Sequence, residues 1–173
     1  MRTPDNYEGT WGERITPMDS VEQWAMHTYR YDVAARFTTA DDVVLDAACG
    51  TGYGQGILSG QWVGVDAWPG RGIHVADLRT WAPDFDYDVF VGLETIEHID
   101  PLAAYLAAAK RAKRAIVIST PIIPTTHFNP HHVHDFTRES LEQLFVPWVV
   151  EHYETQADPL LGPDIYGIWV FGR

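Results

Sequence analysis

The chain is predicted to fold as an α/β protein with a doubly wound, mostly parallel sheet, and three observations carry this prediction. Short apolar runs alternate with helical patterns along most of the 173 residues, as in proteins built from parallel strands and crossover helices. The runs are apolar almost throughout, which is typical of strands buried on both faces. The last two runs leave no room for a crossover helix between them, so they are expected to pair antiparallel.

Length and composition indicate one globular domain over residues 1–173. The chain is 46% hydrophobic and has a formal net charge of −12, which argues against a broad nucleic-acid or anionic-membrane surface. Cys49 is the single cysteine, which excludes an internal disulfide and a cysteine-based zinc site. The first residues lack an apolar signal core and no apolar run approaches membrane-spanning length. We therefore expect a cytoplasmic protein with no membrane partner.

Helices are predicted from capping residues and apolar periodicity. Residues 1–37 are interpreted as a polar arm followed by a helix that Asp19 or Ser20 caps, and together they are a candidate lid. A second helix is expected after Asp100 as its cap with Pro101 in the first position. A third covers 137–145.

Seven strands are predicted from the apolar runs, and they make the sheet seven-stranded with a C-terminal antiparallel hairpin. Their expected ranges are 43–47, 62–66, 73–78, 87–93, 115–120, 148–156 and 165–173.

The glycine-rich stretch "LDAACGTGYG" (45–54) lies where the first strand is expected to open into a helix. Its glycines permit a tight turn and a close approach of the backbone to a ligand. A dinucleotide-binding loop would have the spacing G-x-G-x-x-G. This loop instead has Asp46 before the glycines and Asp66 after the second strand, and alone it is weak evidence for any ligand.

Taken together, the motifs resemble the class I S-adenosylmethionine-dependent methyltransferases. "VVLDAACGTGYG" is similar to their first motif, "VGVD" to the acidic end of their second strand, "ADL" to the third motif and "DVFVGLETIEHI" to the fourth strand. "GERITP" followed by "HTYRY" resembles a subgroup associated with glycan and secondary-metabolite tailoring. The resemblance covers about residues 9–173 and implies a Rossmann-like sheet, S-adenosylmethionine as cofactor and methyl transfer as activity.

The resemblance also implies roles for individual residues. Asp46 and the Gly50–Gly52 backbone would lie along the methionine part of the cofactor, and Asp66 would bind the ribose hydroxyls. Asp77 with Leu78 would face the adenine amino group, and Glu94 would lie beside the methionyl end. The complete set of predicted cofactor-binding residues is Asp46, Ala48, Gly50, Gly52, Asp66, Ala67, Trp68, Asp77, Leu78 and Glu94.

The chain departs from the family in three places. Ala48 stands where the family often has glycine. Only "AWPGRG" separates the second and third strands where the family usually has a helix, and "RTWAPDFD" after the third strand is also brief. One edge of the sheet should therefore lack helical cover, and Trp62, Trp68 and Trp81 are candidates to fill it. A homodimer through this edge is a further hypothesis.

Glu94, Glu97 and His98 follow the fourth strand, and a histidine-rich stretch (127–136) follows the fifth. Both stretches are expected at the carboxyl ends of neighbouring strands, where ligands bind in such sheets. Three interpretations stay open. The residues are an ordinary helix start with solvated histidines, or a histidine is a general base, or Glu94, Glu97, His98 and His134 bind one divalent metal ion.

The metal interpretation has support from resemblance. The pattern E-x-x-E-H followed by a histidine loop is similar to the metal site of small-RNA terminal 2′-O-methyltransferases, and it also occurs in ubiquinone-pathway O-methyltransferases. A mixed set of carboxylates and imidazoles suits Mn²⁺, Fe²⁺ or Zn²⁺ better than Mg²⁺. His98, Glu97 and His134 are the predicted catalytic residues under either the base or the metal interpretation.

Three functions are weighed for the chain. The first is O-methylation of a hydroxyl on a small molecule, a sugar or a glycan-linked metabolite. The second is methylation of an RNA terminus with a divalent metal, against which the net charge of −12 argues. The third is a non-catalytic subunit that binds the cofactor. Aromatic residues of the arm and first helix, Tyr7, Trp11, Tyr29 and Tyr31, are candidates for stacking on an acceptor ring.

Overall fold

The computed structural model describes residues 20–173, and its centre is one seven-stranded sheet. The order of the strands across the sheet is β3-β2-β1-β4-β5-β7-β6. The first five positions are parallel, whereas β7 is antiparallel to both β5 and β6. The predicted doubly wound, mostly parallel sheet with a C-terminal hairpin is confirmed. The predicted arm, with Tyr7 and Trp11, lies outside the described residues.

The strands agree closely with the apolar runs that predict them. Their bounds are β1 Val43–Ala47, β2 Gln61–Asp66, β3 Ile73–Val75, β4 Val89–Leu93, β5 Ala115–Pro121, β6 Val149–Asp158 and β7 Gly162–Gly172. The largest differences are at the end of β3, which is Val75 rather than 78, and at the start of β7, which is Gly162 rather than 165. Asp77 and Leu78 consequently lie in the turn that follows β3, at the carboxyl edge of the sheet.

Three α-helices flank the sheet: α1 Val21–Ala35, α2 Ala103–Lys110 and α3 Arg138–Phe145. Ser20 caps α1 by accepting a hydrogen bond from the Gln23 amide. Thr137 caps α3 in the expected way.

The predicted start of α2 at Asp100 and Pro101 is wrong. The Leu106 amide donates to the Leu102 carbonyl, which makes Leu102 the residue that enters the helix.

The connection between β1 and β2 differs from the expectation of a helix after the glycine loop. Residues 48–60 contain only a four-residue 3₁₀ turn, Tyr53–Gly56. The expected shortening after β2 and β3 is confirmed, because residues 67–72 and 76–88 contain no α-helix. Among residues 20–173, no helix combines the length and the apolar character needed to cross a bilayer.

The two faces of the sheet bury separate apolar clusters, because alternate side chains of a strand point to opposite faces. Val44, Val89 and Val117 pack with α1, whereas Leu45, Phe90 and Ile118 pack with α2 and α3. The edge of the sheet formed by β2 and β3 has less helical cover, and Val75 on the edge strand β3 is 54% exposed. Trp62 and Trp81 pack against the two clusters at this end of the sheet, as expected of residues that replace helical cover. The homodimer stays a prediction.

Candidate functional site

A cavity of about 820 Å³ opens at the carboxyl ends of the parallel strands. The glycine loop, the end of β2, the turn after β3, the end of β4 and α1 form its walls. Eight of the ten predicted cofactor-binding residues line it: Ala48, Gly50, Asp66, Ala67, Trp68, Asp77, Leu78 and Glu94. His98 and His131 line the same cavity, so the glycine loop and the acid-histidine residues share one space.

Asp66 fixes the shape of the glycine loop. It ends β2 and is 6% exposed, and its carboxylate accepts hydrogen bonds from the amides of Gly50 at 2.8 Å and Trp68 at 3.0 Å. Hydrogen bonds to an ionised carboxylate are stronger than neutral ones. Gly50 and Ala48 both have a φ of +60°, and an alanine in that region is strained. This conformation explains why a glycine would suit position 48.

Asp77 pairs with Arg79 at the mouth of the cavity. The Arg79 guanidinium donates to both carboxylate oxygens, at 2.9 Å from Nε and 2.6 Å from Nη2. These hydrogen bonds lower the pKa of Asp77. The Asp77 side chain is 45% exposed, so it could exchange this partner for a ligand group at little cost.

Asp46 lies beneath the glycine loop rather than on the cavity wall. Its carboxylate accepts from the Trp62 indole N–H at 2.9 Å and from the Tyr31 hydroxyl at 3.1 Å. Burial raises the pKa of Asp46 to about 7, although the hydrogen bonds from Trp62 and Tyr31 oppose that shift. Its contact with the methionine part of a cofactor stays a prediction, and so does that of Gly52, which is also outside the cavity lining.

Replacing Asp46 with asparagine is expected to remove a pH dependence of stability. The folded-state pKa of about 7 exceeds the unfolded value of 3.8. Between these two pH values the folded state keeps a proton on Asp46 that the unfolded chain has lost. The contribution of Asp46 is therefore complete below about pH 4 and declines by about 1.4 kcal/mol per pH unit up to about pH 7.

Urea unfolding at pH 4.5, 6 and 7.5 measures this dependence. The free energy of unfolding of the wild type should fall relative to that of Asp46→Asn as pH rises, by at most about 4 kcal/mol in total. Parallel curves for the two proteins would contradict the assignment.

Glu94 is held at the end of β4 by its neighbours on β5 and α1. Its amide donates to Ser119, and the Ser119 hydroxyl donates to Glu94 Oε1 at 2.7 Å. Arg30 Nε lies 3.7 Å from the same oxygen. Glu94 has a φ of +49°, so the chain does not turn helically from this residue. Glu94 therefore does not share a helical turn with Glu97 and His98.

Glu97 is buried in the 3₁₀ turn Ile96–His98. It is 1% exposed, and the Thr120 hydroxyl donates to its Oε2 at 3.0 Å. Among the described residues, its Oε1 has no hydrogen-bond partner. Burial first, and the charge of Glu94 second, raise the pKa of Glu97 well above its usual value.

His98 faces the cavity in a defined tautomer. Its Nδ1 lies 3.0 Å from the carbonyl oxygen of His131. Because a carbonyl only accepts, Nδ1 carries the proton and the neutral ring has its lone pair on Nε2. His132 packs edge-on against His98 with ring centroids 4.6 Å apart, and its Nδ1 lies 2.6 Å from the Thr125 hydroxyl.

The structure brings part of the predicted acid-histidine set together. One ligand atom each from Glu97, His98 and His132 lie within 4.8 Å of one another. The structure does not bring Glu94 or His134 into this group. His134 instead lies with Nε2 at 2.9 Å from the Ile99 carbonyl and its ring beside Phe136. The two loops converge as expected, but a different histidine meets Glu97 and His98.

Sequence reasoning missed two supports of the site. Arg30 is 1% exposed on α1, near Glu94 and 4.2 Å from the centre of the Tyr166 ring. Nothing in a helical pattern distinguishes this arginine from a solvated one. His132 belongs to the histidine-rich stretch 127–136, and nothing in the sequence distinguishes it from the other histidines there. Its position beside Glu97 follows from the fold, in which the Val133 amide donates to the Glu97 carbonyl at 2.8 Å.

Similarity to known proteins agrees with this geometry, although no family model matches the chain. Two curated relatives from strains of Mycobacterium tuberculosis are named probable S-adenosylmethionine-dependent methyltransferases. Each is 29% identical over 161 residues, which span 78% of this chain and 58% of the relative. The chain thus spans little more than half of the length of these relatives.

Two solved structures show how widely the fold is used. The N-methyltransferase NodS from Bradyrhizobium japonicum, in complex with S-adenosylhomocysteine, has a TM-score of 0.69 at 12% identity, covering 90% of this chain and 89% of its own. The [4+2]-cyclase SpnF has a TM-score of 0.67 at 12% identity, covering 92% and 84%. Since a fold does not fix an activity, these likenesses concern architecture. The chain has the Rossmann-like fold of class I methyltransferases and resembles S-adenosylmethionine-dependent methyltransferases in sequence.

Proposed function

We propose that the chain is an S-adenosylmethionine-dependent methyltransferase that methylates a hydroxyl group of a small molecule. The observation that carries this proposal is the shared cavity. The cavity is lined both by residues predicted to bind the cofactor, Glu94 among them, and by His98 and His131 of the acid-histidine stretches. The names of the relatives from Mycobacterium tuberculosis support the same cofactor and the same class of reaction.

The reaction is an in-line displacement at the methyl carbon. The acceptor oxygen forms a bond to this carbon while the bond from carbon to the sulfonium sulfur breaks, and the sulfur keeps the electron pair. S-adenosylhomocysteine, the methyl ether and one proton are the products. The protein must align donor and acceptor, exclude water and assist loss of the hydroxyl proton.

The described residues can divide this work. Asp66 presents a buried carboxylate for the ribose hydroxyls and at the same time orders the loop amide of Gly50. Glu94, fixed by Ser119 and Arg30, provides negative charge beside the position of the sulfonium. His98 lines the cavity with Nε2 unprotonated in its neutral form, and it marks the side on which the acceptor hydroxyl is activated.

The size and charge of the site favour a small acceptor over RNA. A cavity of about 820 Å³ is in the range of small-molecule sites. Asp66, Asp77 and Glu94 line it, and the chain carries a net charge of −12. Affinity for nucleic acid depends on cationic contacts to phosphates. Binding of a phenol or a sugar does not depend on cationic contacts of this kind.

Turnover of methyl-labelled cofactor against phenols, nucleotide sugars, amines and RNA termini tests the proposal. Transfer to a phenol or sugar hydroxyl is the expected result. Transfer to RNA that weakens steeply with salt would overturn the choice of acceptor, and transfer to amines alone would overturn O-methylation. Tight cofactor binding by calorimetry without any transfer would instead indicate a non-catalytic cofactor-binding subunit.

Replacing His98 with glutamine is expected to lower kcat by about 100-fold, in the range typical of lost acid-base or electrostatic assistance. Cofactor affinity should change by less than about threefold, because His98 lies on the acceptor side of the cavity. His127→Gln is the matched control, since His127 is an exposed histidine of the neighbouring loop. Equal kcat values for both variants would remove His98 from the reaction.

A further inference from the structure

We propose that Glu97, His98 and His132 bind one divalent transition-metal ion at the acceptor side of the cavity. One potential ligand atom from each residue lies within 4.8 Å of the other two. Metal–ligand bonds to nitrogen and oxygen are about 2.0–2.2 Å long. Small rotations of the three side chains would therefore bring their ligand atoms around a common centre.

Glu97 is the first independent sign of a ligand. Its carboxylate is almost completely buried, and the Thr120 hydroxyl satisfies only Oε2. Oε1 has no hydrogen-bond partner among residues 20–173. Burying a carboxylate oxygen without a partner is costly, and a bound cation removes that cost.

The two histidines are arranged as metal ligands usually are. Metal-binding imidazoles commonly use the second ring nitrogen in a hydrogen bond that fixes the ring. Nδ1 of His98 contacts the His131 carbonyl, and Nδ1 of His132 contacts the Thr125 hydroxyl. In each ring, Nε2 is therefore the nitrogen that would bind the ion.

The backbone holds the loop that carries His132 close to Glu97. The Val133 amide donates to the Glu97 carbonyl at 2.8 Å. Asp135 accepts from the amides of Thr125 at 2.7 Å and Thr126 at 3.0 Å. These bonds close the histidine loop on itself and fix where it meets the 3₁₀ turn.

Donor chemistry identifies the class of ion. Two imidazoles and one carboxylate suit Mn²⁺, Fe²⁺, Co²⁺ or Zn²⁺ and are poor ligands for Mg²⁺ and Ca²⁺. Three protein ligands leave coordination positions open, and His98 lines the cavity, so an acceptor oxygen can take one of them. A bound cation lowers the pKa of such a hydroxyl. This role in methyl transfer rests on the proposed function, whereas binding of the ion does not.

The test uses the full chain without a histidine tag, stripped with EDTA and dialysed against Co²⁺, Mn²⁺ or Zn²⁺ alone. Neither cofactor nor acceptor is added, so the result is independent of whether the chain transfers methyl groups. Elemental analysis should find one ion per chain, and the Co²⁺ form should show visible absorption bands from its nitrogen and oxygen ligands. Mg²⁺ should not compete at equal concentration.

Two loop histidines give the matched variants. His132→Ala should weaken Co²⁺ binding by at least about 100-fold, whereas His134→Ala should leave it within about threefold, because His134 contacts the Ile99 carbonyl instead. Glu97→Gln should abolish binding, and melting curves establish that each variant is folded. A wild-type chain that binds less than 0.2 ion, or equal losses in the two histidine variants, would overturn the proposal.

Discussion

Asp66→Asn is expected to raise the dissociation constant for S-adenosylmethionine by about 100-fold while the chain stays folded. The carboxylate accepts from the Gly50 and Trp68 amides, and in the proposed complex it also accepts from the ribose. Asparagine is neutral and has a single acceptor oxygen. Hydrogen bonds to charged groups contribute about 1.5–3 kcal/mol each, so losing two corresponds to about 3 kcal/mol, or roughly 100-fold.

Calorimetry with S-adenosylmethionine and with S-adenosylhomocysteine measures the change. Asp86→Asn is the matched control, because it removes the same charge from an exposed position where Asp86 Oδ2 lies 3.0 Å from Lys113 Nζ. Its affinities should stay within about twofold of the wild type. A folded Asp66→Asn variant with wild-type affinity would show that the Asp66 carboxylate does not bind the ribose hydroxyls of the cofactor.

Gly54→Ala is expected to reduce the free energy of unfolding by about 2–4 kcal/mol. A Cβ at this position would overlap the Tyr31 ring and lie 2.7 Å from Asp46 Oδ2. Both neighbours are buried, so neither can move without disturbing the cluster beneath α1. Overpacking costs about 1–3 kcal/mol, and a weakened hydrogen bond between Tyr31 and Asp46 adds about 1 kcal/mol.

Urea unfolding compares this variant with Gly56→Ala, a substitution in the same 3₁₀ turn. Among the described residues, no heavy atom lies within 4 Å of the Cβ that Gly56 would gain. Because alanine also restricts the unfolded chain, Gly56→Ala should be neutral or stabilise by up to about 1 kcal/mol. Equal destabilisation by the two substitutions would contradict the packing argument.

Most of the sheet could be predicted because its strands are buried on both faces. A run such as "AIVIST" has few alternatives to a central strand, and β5 indeed occupies that position. The conformation of the glycine loop was harder to predict, since "GTGYGQGILSG" is long enough to contain a helix. Five glycines within it disfavour a helix by about 1 kcal/mol each, and only the 3₁₀ turn forms.

The sequence identifies candidate site residues where a single acidic residue stands at a strand end. It does not identify them in a loop that carries several histidines. Asp66 is the last residue of one predicted strand and Asp77 lies near the end of the next, and both line the cavity. The histidine loop offers four imidazoles within eight residues. Which of them reaches Glu97 depends on hydrogen bonds within the loop, above all those to Asp135, and these have no periodic signal.

The 3₁₀ turn after the glycine loop has a consequence for release of the proposed product. A full helix would direct a positive dipole end at the methionyl carboxylate, whereas four residues, Tyr53–Gly56, provide very little. Asp66, Asp77 and Glu94 then provide the negative charge on the wall, alongside Arg79, which pairs with Asp77. Such a wall attracts a positively charged sulfonium more strongly than the neutral thioether that remains after transfer. In the proposed reaction, this wall therefore favours exchange of S-adenosylhomocysteine for S-adenosylmethionine.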